Sequence, residues 1–383
     1  MTFTVRAPGR VNLIGEHTDY NGLAVFPMAI QRSIMTRVEP RTDGNVRISN
    51  TDPRFGPRGF PLSAEIPPEA PGDWSNYVRA AAQKLMQMHG SLRGVDALFS
   101  GDLPPSAGLS SSSALVVASG LALLAANHLP IDPTALGPVF ADAEYYVGTR
   151  GGGMDQAISL GGRDGCAARI DFNPLRLTHV PVPADWQFVI AHSLVTADKS
   201  GAAMELYNSR PRQCREALRP VAEHLGLPAA YRDLLERRPA EELAEIAGRT
   251  LTPPLAGRFR HVVSEAARVD KAVEAMRAGD AEAFGWLMVA SHSSMRDHLE
   301  ISCPALDELV DAGLTSGALG ARLTGAGFGG CAVILTTRER LGPLLEALEG
   351  RYYSARPDRN RYPDYLLPAE PSAGASVTGG TAD

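Results

Sequence analysis

Residues Leu103–Leu129 read LPPSAGLSSSSALVVASGLALLAANHL, a loop of Pro, Gly and Ser that opens directly into an apolar helix. Small residues let backbone N–H groups crowd together, and the helix behind them adds its unsatisfied first-turn donors and the positive end of its dipole. The stretch reads as a phosphate cradle. Gly108 permits close backbone approach, and the hydroxyls of Ser110, Ser111, Ser112 and Ser113 can donate, accept or reach a magnesium ion. The competing reading is a serine-rich linker or a plainly capped helix, and the rest of the chain weighs against it.

Upstream, residues 1–50 alternate short β-prone pieces with turns, which marks a sheet region. Trp74–Gly90 has helical apolar spacing and a glycine stop, and VDALFSGDLPP returns as strand and turn into the serine loop. Downstream, a second helix is expected from about Pro133 to Val147. CAARIDF and WQFVIAHSLV read as strands, followed by helices at roughly 200–224, 257–278 and 280–298, a glycine loop and the strand CAVIL. The loop-like PLRLTHVPVPADW suggests a domain boundary near residue 180, giving units over 1–180 and 181–376, with 377–383 expected as a disordered tail that has little to bury.

Composition bounds the function. The chain has 383 residues, 44% of them apolar and 21% charged, enough for two cores. Its net charge of −6 argues against a nucleic-acid partner. The four cysteines lack ligand spacing or a paired framework, so neither a zinc site nor disulfides are indicated, and a reducing cytoplasm fits. No run approaches the roughly 18 apolar residues of a membrane helix, and the amino terminus lacks a long apolar core, so a soluble, non-exported protein is expected.

Three further motifs carry chemistry. Residues 7–22, APGRVNLIGEHTDYNG, gather Arg10, Glu16, His17 and Asp19 in a turn-rich stretch between strand-like pieces, where folds present polar side chains to ligands. The HxD pair alone is weak evidence for a metal. Residues 143–156, AEYYVGTRGGGMDQ, supply Glu144 near a helix end and Asp155 after three glycines. Two acids beside a phosphate cradle suggest phosphoryl transfer, one acid holding magnesium and the other sitting at the attacking hydroxyl. Residues 321–335, ARLTGAGFGGCAVIL, show GxGxxG spacing, but the loop runs into a strand, which rejects a dinucleotide fingerprint. The chain also lacks GxxxxGK[ST], HRD and DFG elements, so a P-loop ATPase and a protein kinase are unsupported.

Taken in this order, GRVNLIGEHTDYN, PPSAGLSSSSA, GGGMDQ and LTGAGFGGC strongly resemble the galactokinase branch of the GHMP small-molecule kinases. The resemblance runs from Ala7 to about Ser376. Within the branch, AEYYVGTRGGGMDQAIS, DFNPLRLT and SHSSMRDHLEISCPALDELV look most like the eukaryotic galactokinases and N-acetylgalactosamine kinases. It implies an α+β, two-domain fold, with an N-terminal ribosomal-protein-like α/β domain, a C-terminal ferredoxin-like domain and the active site between them.

Carried over residue by residue, the resemblance assigns Asp155 to the C1 hydroxyl of a sugar, as base or electrostatic partner, with Arg10 between that hydroxyl and the γ-phosphate of ATP. Glu16, His17, Asp19, the backbone of Gly153 and the ring hydroxyl of Tyr207 would bind the sugar. Ser106, Ala107, Gly108, Leu109, Ser110, Ser111 and Ser112 would wrap the nucleotide phosphates, with Ser112 and Glu144 on Mg2+ and Trp74, together with Tyr77, at the adenine. The glycine loop would close the cleft. Tyr207 tilts the sugar toward galactose over N-acetylgalactosamine, whereas LVTADKSGAAMELYNSR departs from the usual galactokinase wording around the C2 side. The implied activity is an ATP-dependent galactose 1-kinase, expected to be a monomer. An N-acetylgalactosamine or L-arabinose kinase is the alternative within the class, and a non-catalytic galactose and ATP sensor the alternative outside it.

Overall fold

The computed structural model describes residues 1–103, 108–196, 202–361 and 364–379. Its first half is built on β1 (Phe3–Ile14) and β2 (Phe26–Pro40), two long antiparallel strands. Up to Arg6, β1 alternates buried and half-buried positions, as a strand with one wet face should; from Ala7 to Ile14 every residue is buried. That half of the strand carries the first motif, and it is covered on both faces because the helices Ser111–Ala126 and Met154–Gly161 pack on it from one part of the chain and the helices Pro253–Ala278 and Ala281–Ser294 from another.

The sheet continues through β3 (Asn45–Asn50), β4 (Arg58–Pro61) and β5 (Val95–Gly101), in the order β12-β1-β2-β5-β3-β4, where β12 is Ser376–Thr378. Among the described strands β3 and β5 form the one parallel pair. Four helices lie with it: α1 (Ser75–His89), α2 (Ser111–Ala126), α3 (Pro133–Ala143) and α4 (Met154–Gly161). The α2 helix is apolar all round after its serines, the composition of a helix with no wet face, and it packs against β1, β2, β5, α1, α3 and α4. The α3 helix starts where Asp132 accepts from the N–H groups of Thr134 and Ala135 with Pro133 in the first turn. It stops at Ala143. The expected run to Val147 tightens instead into a 3-10 turn over Glu144–Val147, which leaves Glu144 buried at its start.

A two-stranded ribbon, β6 (Cys166–Asp171) and β7 (Arg176–Pro181), precedes the second antiparallel sheet. That sheet contains β8 (Trp186–His192), β9 (Gly320–Thr324), β10 (Cys331–Thr337) and β11 (Leu366–Ala369), in the order β11-β8-β10-β9. The helices of this part are α5 (Ala202–Leu225), α6 (Tyr231–Arg237), α7 (Ala240–Thr250), α8 (Pro253–Ala278), α9 (Ala281–Ser294), α10 (Pro304–Thr315) and α11 (Leu341–Leu348). The α6 and α7 helices were not expected from the sequence. Their pattern is short, and α7 lacks a side-chain cap, so little marks them before Leu234, Leu243 and Ala247 meet α5 and α8 in a shared core.

The tail requires a correction. Val377 pairs with Val5 and Thr378 with Thr4, so the segment expected to be disordered from 377 begins as an edge strand of the first sheet. Its backbone groups pair on the open edge of β1 and Val377 packs against the first core, placements that composition cannot show. Residues 380–383 lie outside the described residues. No helix among the described residues is long and apolar enough to cross a membrane, and all four cysteines are free.

Candidate active site

A cleft of about 430 Å³ is lined by all four motifs. At its centre lies an ion pair. Arg10, on the doubly covered half of β1, donates from Nε to Asp155 Oδ1 (2.7 Å) and from Nη2 to Asp155 Oδ2 (2.9 Å), a planar two-point contact. Its Nη1 donates to the Gly108 carbonyl at 2.6 Å, which fixes the serine loop to the same guanidinium. Asp155 stands in the first turn of α4, where the helix dipole favours the carboxylate, and Ser110 Oγ also donates to it. Burial lowers the pKa of Arg10, but Asp155 and Glu16 outweigh it and raise the group above its usual value. Arg10 therefore stays charged.

The sugar-assigned residues surround this pair. Asp19 sits in a 3-10 turn, Asp19–Asn21, and its Oδ2 accepts from the Gly152 N–H at 3.1 Å. A Cβ on Gly152 would lie 2.3 Å from the Tyr20 nitrogen and 2.4 Å from Asp19 atoms, so the first and third motifs can touch only through a glycine. Burial, reinforced by the charge of Asp155, raises the Asp19 pKa to about 6. The His17 ring contacts the Tyr20 hydroxyl through Nδ1 at 2.8 Å and packs edge-on to Tyr207, centroids 5.7 Å apart. Burial, with His261 nearby, lowers its pKa to about 3, so the ring is neutral. Gly153, at the head of α4 with φ +99°, lines the cleft with its backbone.

Glu16 has a role that spacing alone did not reveal. Its Oε2 accepts from Arg322 Nη2 (2.7 Å) and from the Gly325 N–H (3.1 Å), so this oxygen joins the first motif to the glycine loop. Arg322 is fully buried on β9 and also donates to the Asn12 carbonyl at 3.0 Å. Burial raises the Glu16 pKa, while Arg322 and Arg10 pull against it. Arg322 was missed because it appears in the sequence as an ordinary strand residue before the glycines; the faint signal was a charge within an otherwise apolar strand pattern. The glycine loop is anchored further by Phe328 N–H to Ile301 O (2.7 Å) and Gly330 N–H to Val195 O (2.8 Å).

At the other end of the cleft lies the amino terminus of α2. Gly108, Ser110, Ser111, Ser112 and Ser113 line the cleft, and buried Leu109 accepts from the Arg10 N–H through its carbonyl. Ser106 and Ala107 lie outside the described residues. Ser113, rather than Ser112, bonds Glu144, Oγ to Oε1 at 2.6 Å, and so brings the buried carboxylate against the first turn of α2. Trp74 is 8% exposed, donates its ring N–H to the Gly56 carbonyl and packs on Phe55 and Phe99. It is a core residue with one edge on the cleft. Tyr77, Asn50, Thr51 and Phe55 line the same end; Asn50 closes β3, and Thr51 and Phe55 come from the turn after it, which sequence reasoning passed over.

Glu144 and the serine hydroxyls are hard oxygen donors, the type magnesium takes when nucleotide phosphates complete its shell. Among the described residues, no group of three or more His, Cys, Asp or Glu is placed to hold a metal by itself.

The chain is similar to known proteins over nearly its whole length. Residues 1–40 match the galactokinase galactose-binding signature, residues 76–163 the GHMP kinases N terminal domain and residues 272–355 the GHMP kinases C terminal domain. The chain is 39% identical over 379 residues to the galactokinase of Chloroflexus aurantiacus and, to the same extent, to that of Chloroflexus aggregans, covering 98% of this chain and 93% of each relative. It also superposes on the crystal structure of Lactococcus lactis galactokinase complexed with galactose, with a TM-score of 0.87, 31% identity and coverage of 98% of this chain and 95% of that one. A mevalonate kinase structure at 20% identity and a TM-score of 0.65, covering 96% of this chain and 98% of that one, shares the fold.

Proposed function

The chain belongs to the galactokinase family of GHMP kinases, and from that premise we propose that it transfers the γ-phosphate of ATP to the C1 hydroxyl of α-D-galactose, releasing galactose 1-phosphate and ADP. The observation that carries the reading is the Arg10–Asp155 pair, held between the sugar-assigned turn and the serine loop.

In this mechanism the C1 hydroxyl enters beside Asp155, which accepts its proton as the new O–P bond forms. Arg10 neutralises charge on the transferring phosphoryl group and holds Asp155 in one orientation. Because Ser110 already bonds Asp155, it positions the base rather than the phosphates, while the first-turn N–H groups of α2 receive the phosphate oxygens. Ser112 and Glu144 would hold magnesium, which when bound neutralises charge on the nucleotide phosphates. Most of the rate comes from positioning and charge, since the protein forms no covalent intermediate. The two lobes of the cleft fit units over about 1–180 and 181–376, with β12 returning to the first sheet.

Asp19 and the neutral His17 recognise hydroxyls on the sugar ring. A buried polar group left unpaired by the wrong epimer can cost up to roughly four to five orders of magnitude in discrimination, so glucose is expected to be a poor substrate. ADP release with magnesium-ATP and matched galactose, N-acetylgalactosamine, L-arabinose or glucose tests this. Preference for galactose supports the proposal; preference for the acetamido sugar overturns the substrate assignment; tight galactose binding without turnover makes the protein a sensor.

A pH dependence follows from Asp19. Its raised pKa of about 6 means that the carboxylate, the form able to accept from sugar hydroxyls, is ionised above that pH and progressively protonated below it. The kcat/KM for galactose is therefore expected to fall as the pH drops through about 6, and Asp19→Asn should flatten that limb. A profile unchanged by the substitution would assign the limb to another group.

A further inference from the structure

Glu265 is fully buried and takes no part in the chemistry proposed above. It lies on α8, one helical turn after His261 and one before Val269, so the three side chains share a face. That face meets the turn that follows β1. Glu265 Oε1 accepts from the Gly15 N–H (2.9 Å), the Glu16 N–H (3.1 Å) and Ser291 Oγ (2.7 Å), and its Oε2 accepts from Arg268 Nε (2.7 Å). His261 Nε2 lies 3.0 Å from the Glu16 carbonyl oxygen. A carbonyl can only accept, so Nε2 carries the ring proton and Nδ1 accepts from Ser294 Oγ at 3.0 Å.

The peptide groups of Gly15 and Glu16 are thus gripped on both sides, their N–H groups by Glu265 and the following carbonyl by His261. Gly15 has φ +92°, and a Cβ there would lie 2.8 Å from Val269 Cγ2, so α8 also closes off any other side chain at this point. Ser291 and Ser294 of α9 hold the two clamping side chains in turn. Both clamping groups keep the form this geometry requires. Burial opposes ionisation of Glu265, but Arg268 and the converging donors outweigh it and hold the carboxyl below its usual range, while burial lowers His261 to about 4 and keeps it neutral.

The residues immediately after the clamp are those that face the sugar. His17 has a left-handed backbone, φ +61°, and Asp19 opens the 3-10 turn. We propose that Glu265, with His261, is a positioning residue for sugar binding: α8 fixes the peptide planes of Gly15 and Glu16, and through them the directions of His17 and Asp19. This rests on the cleft binding a hexose as proposed above. The nucleotide end is built on α1, α2 and the turn at 50–55, so the clamp acts on one substrate and not on the other.

The test is steady-state kinetics with both substrates varied, on the full chain, for the parent protein, Glu265→Gln and Ser291→Ala, with a melting curve for each. Glu265→Gln keeps the shape but removes the charge that the converging donors share, and is expected to raise the sugar KM about tenfold while the ATP KM stays within about twofold. Ser291→Ala removes one donor, leaves every charge in place and should shift the sugar KM in the same direction by about threefold. An unchanged sugar KM in Ser291→Ala overturns the proposal even if Glu265→Gln fails to fold. Equal rises in both KM values with a lowered melting temperature also overturn it, because they mark a purely structural role. The constants are read on whichever hexose the parent phosphorylates, so a wrong substrate assignment and a wrong positioning role give different results.

Discussion

Asp155→Asn is expected to lower kcat by about two to four orders of magnitude, the range for losing a positioned proton acceptor, while both KM values stay within a few-fold. The substitution is nearly isosteric, so binding geometry persists. What changes is chemistry: an amide cannot take the C1 proton, and because Arg10 donates to both Asp155 oxygens, the NH2 faces an Arg10 N–H whichever way it is turned, replacing one strong acceptor contact with a donor against a donor. The charge on Arg10 then lacks its partner, and the γ-phosphate meets a guanidinium free to shift. Single-turnover ADP formation at saturating substrates isolates this step, and a melting curve confirms that the fold survives. Full activity in the variant would remove Asp155 from the mechanism.

Arg322→Met is expected to be the most destabilising single change near the site, at about 3–5 kcal/mol, because breaking a buried ion pair strands the remaining charge. Glu16 is 3% exposed, and without Arg322 its Oε2 would retain only the Gly325 N–H, while the Asn12 carbonyl loses one of its donors and keeps the Thr324 hydroxyl. Both residues are more than nine-tenths buried, so water gives little compensation. Denaturant unfolding at neutral pH measures the loss. Adding Glu16→Gln should recover part of it, since the stranded charge disappears, and a double-mutant cycle that shows no coupling would contradict the pairing. The double variant is expected to bind sugar poorly even where stability returns, because the join between the first motif and the glycine loop is missing.

These two residues illustrate what was legible in the sequence. The serine loop and α2 could be read in advance because their signal is local: a glycine, four hydroxyls and an apolar run dictate a helix with an open amino terminus. The family resemblance assigns Asp155 and Arg10 to the same reacting hydroxyl, and they meet directly across 145 positions of chain. Arg322 and Glu265 were not legible. Each is a single charged residue in an ordinary strand or helix pattern, and each acquires its role from a contact roughly 250 or more positions away that no periodicity encodes. Ser110 was read as a phosphate ligand because hydroxyls in a cradle look alike; only the left-handed backbone at that position, φ +58°, turns it toward Asp155. The strand at Ser376–Thr378 escaped notice for a related reason, since an edge strand gains its partners from backbone groups that composition does not record.

Transfer of the γ-phosphate of ATP to the C1 oxygen of galactose in this cleft can be followed by phosphorus NMR of the reaction mixture with galactose labelled with carbon-13 at C1. A single new phosphomonoester is expected, its phosphorus coupled to the labelled carbon, with the α configuration, formed in step with ADP. A phosphomonoester without that coupling, or inorganic phosphate alone, would rule out transfer to C1.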